Sequence, residues 1–254
     1  MEKKRLTLIK QFSSITGASQ TVSESSLDNA SFSLSDAVNL YYSDTSSPAK
    51  SKCKQDYQTN EMIGSFYETY ASPDTGVMEA EGVEQLSSDL GLDTLDVVWI
   101  IISFKCDAKI MGSFTKAEWL RGMTELECSS FHVLRKKIVS IRQTLEDVEE
   151  YKKIYEFAFQ FALEHSARNL PIETATALWS ILLPFLEWNL CNEWLTFIRS
   201  EYVTSRRRAV TRDEWNFLLH FQSLSKHGPL TQLDKEESAW PLLIDEFYDT
   251  YLTR

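Results

Sequence analysis

Glycine is scarce in this 254-residue chain, with 8 residues, and proline contributes only 6. Collagen-like and Pro/Gly-rich disordered architectures are excluded by so low a content. No apolar run exceeds the six residues Val97–Ile102, far short of the ~20 that a membrane-spanning helix needs. Met1, Glu2, Lys3, Lys4 and Arg5 give a charged start, but no apolar h-region follows, which predicts no secretory signal. Basic charge is in deficit, with 26 Lys+Arg against 37 Asp+Glu and a net charge of −11. A surface that acidic repels phosphate backbones, so a nucleic-acid partner is disfavoured and a basic protein partner is favoured.

Metal-ligating and nucleophilic clusters are also missing. Cys53, Cys106, Cys128 and Cys191 stand 53, 22 and 63 residues apart, and no Cys-x-x-Cys pair occurs. His132, His165, His220 and His227 form no His-x-x-x-His spacing, and none adjoins a cysteine. The chain therefore predicts no metal and no cofactor. Each cysteine reads as a reduced, buried small hydrophobe.

What is present is helical patterning. Residues 43–56 contain no Val, Ile, Leu or aromatic, the composition of a solvated linker. Beyond them, residues 55–254 carry 19 basic and 32 acidic side chains, so the acidic excess belongs to the C-terminal part. The division expected is a small domain over 1–45, a flexible linker over 46–56 and a large domain over 57–254.

In the small domain, Leu6, Ile9, Phe12 and Ile15 recur about every third residue, and Thr16, Gly17 and Ala18 break that helix. Ser33 through Asp36 is a capping signal with Phe32 before it, followed by Leu34, Ala37, Val38 and Tyr41 at helical spacing. In the large domain, Leu95, Val98, Trp99 and Ile102 form one i, i+3, i+4, i+7 stripe. Phe131, Leu134, Ile138, Ile141, Leu145 and Val148 trace one long helix. Period-two strand patterns are scarce. The fold expected is all-α.

Three loop outlines stand out. Asp107, Gly112, Phe114 and Glu118 occupy positions one, six, eight and twelve of an EF-hand loop, but Lys109 and Met111 fill positions that calcium needs as oxygen donors. Thr115 and Glu118 also make a capping box, which accounts for both without an ion. A second outline runs from Ala71 to Gly82 and lacks both anchor carboxylates. A third places Val210 at position eight and Glu214 at twelve, with Arg207 and Arg208 at five and six. The outlines read as EF-hand shapes without metal chemistry. Thr211 and Glu214 form another capping box, which puts Asp213 in a first helical turn favoured by the helix dipole. A further helix is expected to begin at about Ser238, with Pro241 in its first turn. By periodicity, Asp245, Glu246 and Asp249 on that helix are a solvated acidic face.

The run Ala239-Trp240-Pro241-Leu242-Leu243-Ile244-Asp245-Glu246-Phe247, with Arg212-Asp213-Glu214-Trp215-Asn216 and Gly122-Met123-Thr124-Glu125-Leu126, resembles the defective-in-cullin-neddylation family. The order of parts agrees, covering nearly the whole chain outside the linker. The resemblance implies a small three-helix ubiquitin-associated-like (UBA-like) domain and a larger helical domain of two degenerate EF-hand-like pairs. It implies a non-catalytic accessory ligase in the cytoplasm and nucleus. Its partners would be cullins, the RING subunit of cullin ligases, and the neddylation conjugating enzyme with its acetylated N-terminus. Ubiquitin or the ubiquitin-like modifier is a further implied partner.

By the same resemblance, Asp213, Ala239 and Asp245 correspond to the cullin-binding patch. Val83, Trp99, Ile102, Phe114, Phe161 and Ile181 correspond to an apolar pocket for the conjugating enzyme's N-acetyl-Met. The sequence departs from animal members at Trp99, which replaces a smaller aliphatic residue, and at Met111 and Gly112, where they carry Gln and Cys. Thr16, Gly17, Ala18, Leu40 and Tyr41 match the ubiquitin-binding surface, with two apolar contacts of the usual loop missing. Two other readings stand beside the scaffold: an adaptor acting mainly through ubiquitin binding by its UBA-like domain, and a thiol enzyme using Cys106 or Cys128.

Overall fold

A computed structural model of the chain describes residues 2–43, 48–164, 166–206, 208–226, 230 and 240–253. Three helices open it: α1 (Glu2–Thr16), α2 (Gln20–Asn29) and α3 (Leu34–Ser43). Gly17 turns the chain after α1 with a φ of +66°, a conformation that glycine adopts without steric cost. Ile9, Phe12, Leu27, Ala37, Val38 and Tyr42 form the buried core of this unit.

Next comes α4 (Pro48–Glu68), which corrects the expected linker, since the backbone of 48–56 is helical. Alanine, lysine and glutamine are good helix formers, and proline is tolerated as the first helical residue. An absence of apolar residues fails to separate a polar helix from coil. Tyr57 of α4 packs against the small core, while Ile63, Phe66 and Tyr67 of the same helix enter the large one.

The large core is assembled from two pairs of helix–loop–helix units. The first pair joins α4 and α5 (Ala80–Leu90) to α6 (Val97–Cys106) and α7 (Lys116–Glu125). Its loops meet at Met78 and Phe114, which exchange backbone hydrogen bonds of 3.1 and 2.8 Å. These are the residues at position eight of their outlines. The Tyr67 hydroxyl pins both loops, donating toward Phe114 O at 2.8 Å and accepting from Met78 N at 3.0 Å. At Gly122 of α7, a Cβ would lie 2.2 Å from Cys106 Sγ, so only glycine permits the observed approach of α6 to α7.

Two helices then lead on. α8 (Phe131–Gln143) ends in a 3-10 turn, and α9 (Val148–Phe161) starts anew with Asp147 capping Glu150 N at 2.9 Å. The long helix expected over 131–148 is thus two, because the Asp147 carboxylate offers the backbone a fresh N-terminus. The second pair comprises α9 with α10 (Ile172–Leu182), then α11 (Cys191–Ile198), α12 (Glu201–Arg206) and α13 (Arg212–Ser225). Its loops pair through β1 (Leu170–Pro171) and β2 (Ala209–Val210), antiparallel with Leu170 opposite Val210. The last helix is α14 (Leu242–Leu252), with Pro241 preceding it in an extended conformation, ψ 142°. It begins later than expected, since the proline serves as the cap. The architecture is all-α apart from these loop bridges. Among the described residues, no helix is long and apolar enough to cross a membrane.

Candidate functional site

A cavity of about 210 Å³ opens where the two loop pairs meet. One wall is the start of α6, which contributes Asp96, Trp99, Ile100 and Ser103, a helical i, i+3, i+4, i+7 set. The opposite wall is α10, with Thr174, Ala177, Leu178 and Ile181. Val83 of α5, Phe114 and Gly112 of the first loop pair, and Phe161 at the end of α9 close the remainder. Leu95 is 69% exposed and Met111 is also exposed; both border the opening. The Trp99 indole is buried with no hydrogen-bond partner for its Nε1 among the described residues.

Five of the six residues assigned to a pocket by resemblance line this cavity: Val83, Trp99, Phe114, Phe161 and Ile181. Ile102 does not; it is fully buried in the core. Ile102 lies roughly a third of a turn around α6 from the face shared by Asp96, Trp99, Ile100 and Ser103. Of the expected apolar stripe, Val98, Trp99 and Ile102 lie buried on α6, whereas Leu95 lies before the helix and is exposed. Sequence reasoning missed Asp96, Ile100, Ser103, Thr174, Ala177 and Leu178 as lining residues. α6 is buried all round from Val97 to Ser103, so its sequence carries no moment pointing to an open side.

The degenerate loop beside the cavity holds its own charges. Lys109 Nζ lies 2.7 Å and Arg121 Nη1 3.0 Å from the Asp107 carboxylate. The Lys109 ammonium foremost, with Arg121 adding to it, holds that carboxyl below its ordinary range. Glu118 accepts from Thr115 N at 2.7 Å and Lys109 N at 3.1 Å. Cation and backbone donors of the chain itself occupy the oxygens that an EF-hand would turn toward calcium.

Of the patch assigned to cullins, Asp213 is exposed in the first turn of α13 and Asp245 is half-buried in the first turn of α14. Ala239 lies outside the described residues. The two helices pack through aromatic edges: Phe221 meets Phe247 at 6.0 Å and Trp240 at 5.5 Å between ring centroids. Trp215 of the same motif is core, whereas Asp213, two residues earlier, faces solvent.

In the small domain, Gly17 is exposed and Leu40 is 55% exposed, while Tyr41 is half-buried edge-on to Phe12 at 5.6 Å. Thr16 is engaged locally, its hydroxyl donating to Phe12 O at 2.7 Å and accepting from Ala18 N at 3.2 Å. Ala18 is buried, so its methyl packs inward instead of presenting a contact.

The thiols at Cys106 and Cys128 are buried. Burial pushes Cys106 up to about 12 and Cys128 up to about 11, which keeps both protonated and weakly nucleophilic at neutral pH. At pH 8, iodoacetamide is expected to leave these two unmodified in the folded protein and to label them once it is unfolded, as read by peptide mass spectrometry. Rapid labelling of either in the native state would revive the thiol-enzyme reading.

Comparison with known proteins matches residues 133–250 to the family described as "Cullin binding" and residues 7–48 to a UBA-like domain. The chain is 34% identical over 201 residues to DCN1-like protein 5 of Bos taurus, covering 79% of this chain and 81% of the relative. The Homo sapiens DCN1-like protein 5 is 34% identical over 196 residues, 77% of this chain and 79% of its own. Human DCN1-like protein 4 is 37% identical over 186 residues, 73% of this chain and 61% of its own.

Proposed function

The chain belongs to the DCN1-like family, and from that premise we propose that it is a non-catalytic accessory ligase in cullin neddylation. Asp213, Ala239 and Asp245 bind the C-terminal winged-helix subdomain of a cullin. The apolar cavity takes the acetylated N-terminal methionine of the conjugating enzyme, which is charged with the ubiquitin-like modifier. With the cullin ligase's RING subunit in the same assembly, transfer to a cullin lysine is hastened. Such a mechanism needs no nucleophile, because holding two macromolecules together raises the effective concentration of thioester and amine.

The observation that carries this reading is the cavity. Its walls come from both loop pairs, its lining is almost wholly apolar, and it suits an unbranched thioether side chain. Acetylation removes the α-amino charge, and an uncapped ammonium would have to be desolvated there at a cost of several kcal/mol. The acidic residues on α13 and α14 fit a basic partner surface, whose charges steer and orient the encounter. The exposed Leu40 and Gly17 favour a second, smaller activity, ubiquitin binding by the UBA-like domain.

The test is the rate of modifier transfer onto a cullin C-terminal fragment from the charged, N-acetylated conjugating enzyme. The intact protein is expected to accelerate it. Asp213→Lys or Asp245→Lys places like charges against the basic surface, costing about 2 kcal/mol or more, and should reduce cullin affinity over tenfold. No acceleration by the intact protein would sink the scaffold and leave the ubiquitin adaptor.

A further inference from the structure

Among the described residues, Asp96 is the only charged side chain lining the cavity. It is already engaged from two sides. Its Oδ1 caps α6, accepting from Val98 N at 3.0 Å. Arg142, in the last turn of α8, reaches over to it with Nε 3.4 Å from Oδ1 and Nη2 bonded to Oδ2. The Asp96 side chain is 17% exposed and the Arg142 side chain 38%. A fork of this kind on a carboxylate is the strong, directional form of ion pair.

Capping does not require that charge. Asparagine caps a helix as well as aspartate does, so the carboxylate and its arginine amount to a matched pair set into an otherwise apolar wall. Their joint effect on a bound chain terminus follows from electrostatics. With Arg142 in place, the wall is neutral and offers no unclaimed anion to a cation. Without it, a mostly buried carboxylate would lack a counter-charge and would pair with an α-ammonium. The start of α6 adds partial positive charge at the same point, which disfavours an ammonium further.

We propose that Arg142 is a positioning residue for selectivity: by holding Asp96, it denies the cavity an acceptor for a free α-ammonium and so makes it choose N-acylated over free N-termini. This rests on the reading of the cavity as the seat of a peptide N-terminus.

The test compares two synthetic peptides of the conjugating enzyme's N-terminus, one acetylated and one with a free α-amine, by fluorescence polarisation. At about pH 6.5 the free terminus is charged. The full-length protein should prefer the acetylated peptide. In Arg142→Met, the ratio of the two affinities should fall about tenfold or more, since one charge-assisted pair becomes available to the free amine. Arg142→Lys should retain the preference. Adding Asp96→Asn to Arg142→Met should restore it. Asp96→Asn alone keeps the helix cap and leaves an uncompensated guanidinium, so the ratio should rise; this variant serves as the fold-preserving arm. A merely structural role for Arg142 would weaken both peptides alike and leave the ratio unchanged, which would overturn the inference while sparing the cavity reading. Binding of neither peptide by the intact protein would overturn both.

Discussion

Trp215→Ala is expected to cost roughly 3–5 kcal/mol of stability, the usual range for emptying a buried tryptophan site. For a chain of this size that corresponds to a fall of about 6–20 °C in melting temperature. The indole is fully buried and stacked on Trp179 at 5.1 Å and Tyr155 at 4.5 Å. It also closes a hydrogen-bond ring. Trp215 Nε1 donates to Tyr155 O at 3.0 Å, the Tyr155 hydroxyl donates to Trp215 O at 2.9 Å, and Trp179 Nε1 donates to that hydroxyl at 2.8 Å. The three residues sit on α9, α10 and α13, so this stack ties the helices of the second loop pair together. Trp215→Phe keeps an aromatic surface and loses one donor, and should cost about 1–3 kcal/mol. Thermal melts followed by circular dichroism decide it. An unchanged midpoint in Trp215→Ala would mean that the stack contributes nothing to holding the pair.

The largest functional effect is expected from filling the cavity. Ala177 lies on its α10 wall and is exposed, so a large side chain there need not disturb the core. Ala177→Trp should deny a methionine side chain its seat and forfeit about 1.5–3 kcal/mol of apolar burial, roughly a 10- to 100-fold loss of affinity for the acetylated peptide. Stability should stay within about 0.5 kcal/mol, as for other surface substitutions. Acceleration of modifier transfer should fall in parallel. Full activity with the cavity blocked would locate the conjugating enzyme's N-terminus elsewhere on the protein.

The Asp213 motif illustrates how unevenly a sequence discloses a site. Its capping box could be read locally, because Thr211 and Glu214 act on backbone groups three residues apart: Glu214 N lies 3.2 Å from the Thr211 hydroxyl. The capping box at Thr115 and Glu118 was equally legible. Neither box says which neighbouring residues are exposed. The buried Trp215 and the exposed Asp213 are separated only by how α13 lies on α9 and α10.

The large domain's loop outlines were visible for a similar reason. An apolar residue at position eight, a glycine at six and helices on either side are features of a single turn of chain. Met78 meets Phe114, and Val210 meets Leu170, across their loops. The loop between α9 and α10 carries no such outline, because with Leu170 at position eight, Leu163, Arg168 and Thr174 stand at positions one, six and twelve. Residues 48–56, expected as part of a flexible linker for want of apolar residues, are helical in backbone, since helix formation there needs only good formers and a start signal.

By itself the sequence determined the helical class, the caps, the degenerate loops and the excess of acid, since each depends on neighbours within a turn or on composition. The tertiary structure decided which side of α6 opens on a cavity and that Asp96 meets Arg142 across 46 residues of chain. It also decided that Ile102 is core while Ala177 is lining. A helix apolar on every side carries no internal sign of where its neighbours leave a gap. Only the packing of α10 and the first loop pair against it creates that space, and only the end of α8 supplies the charge that neutralises its wall.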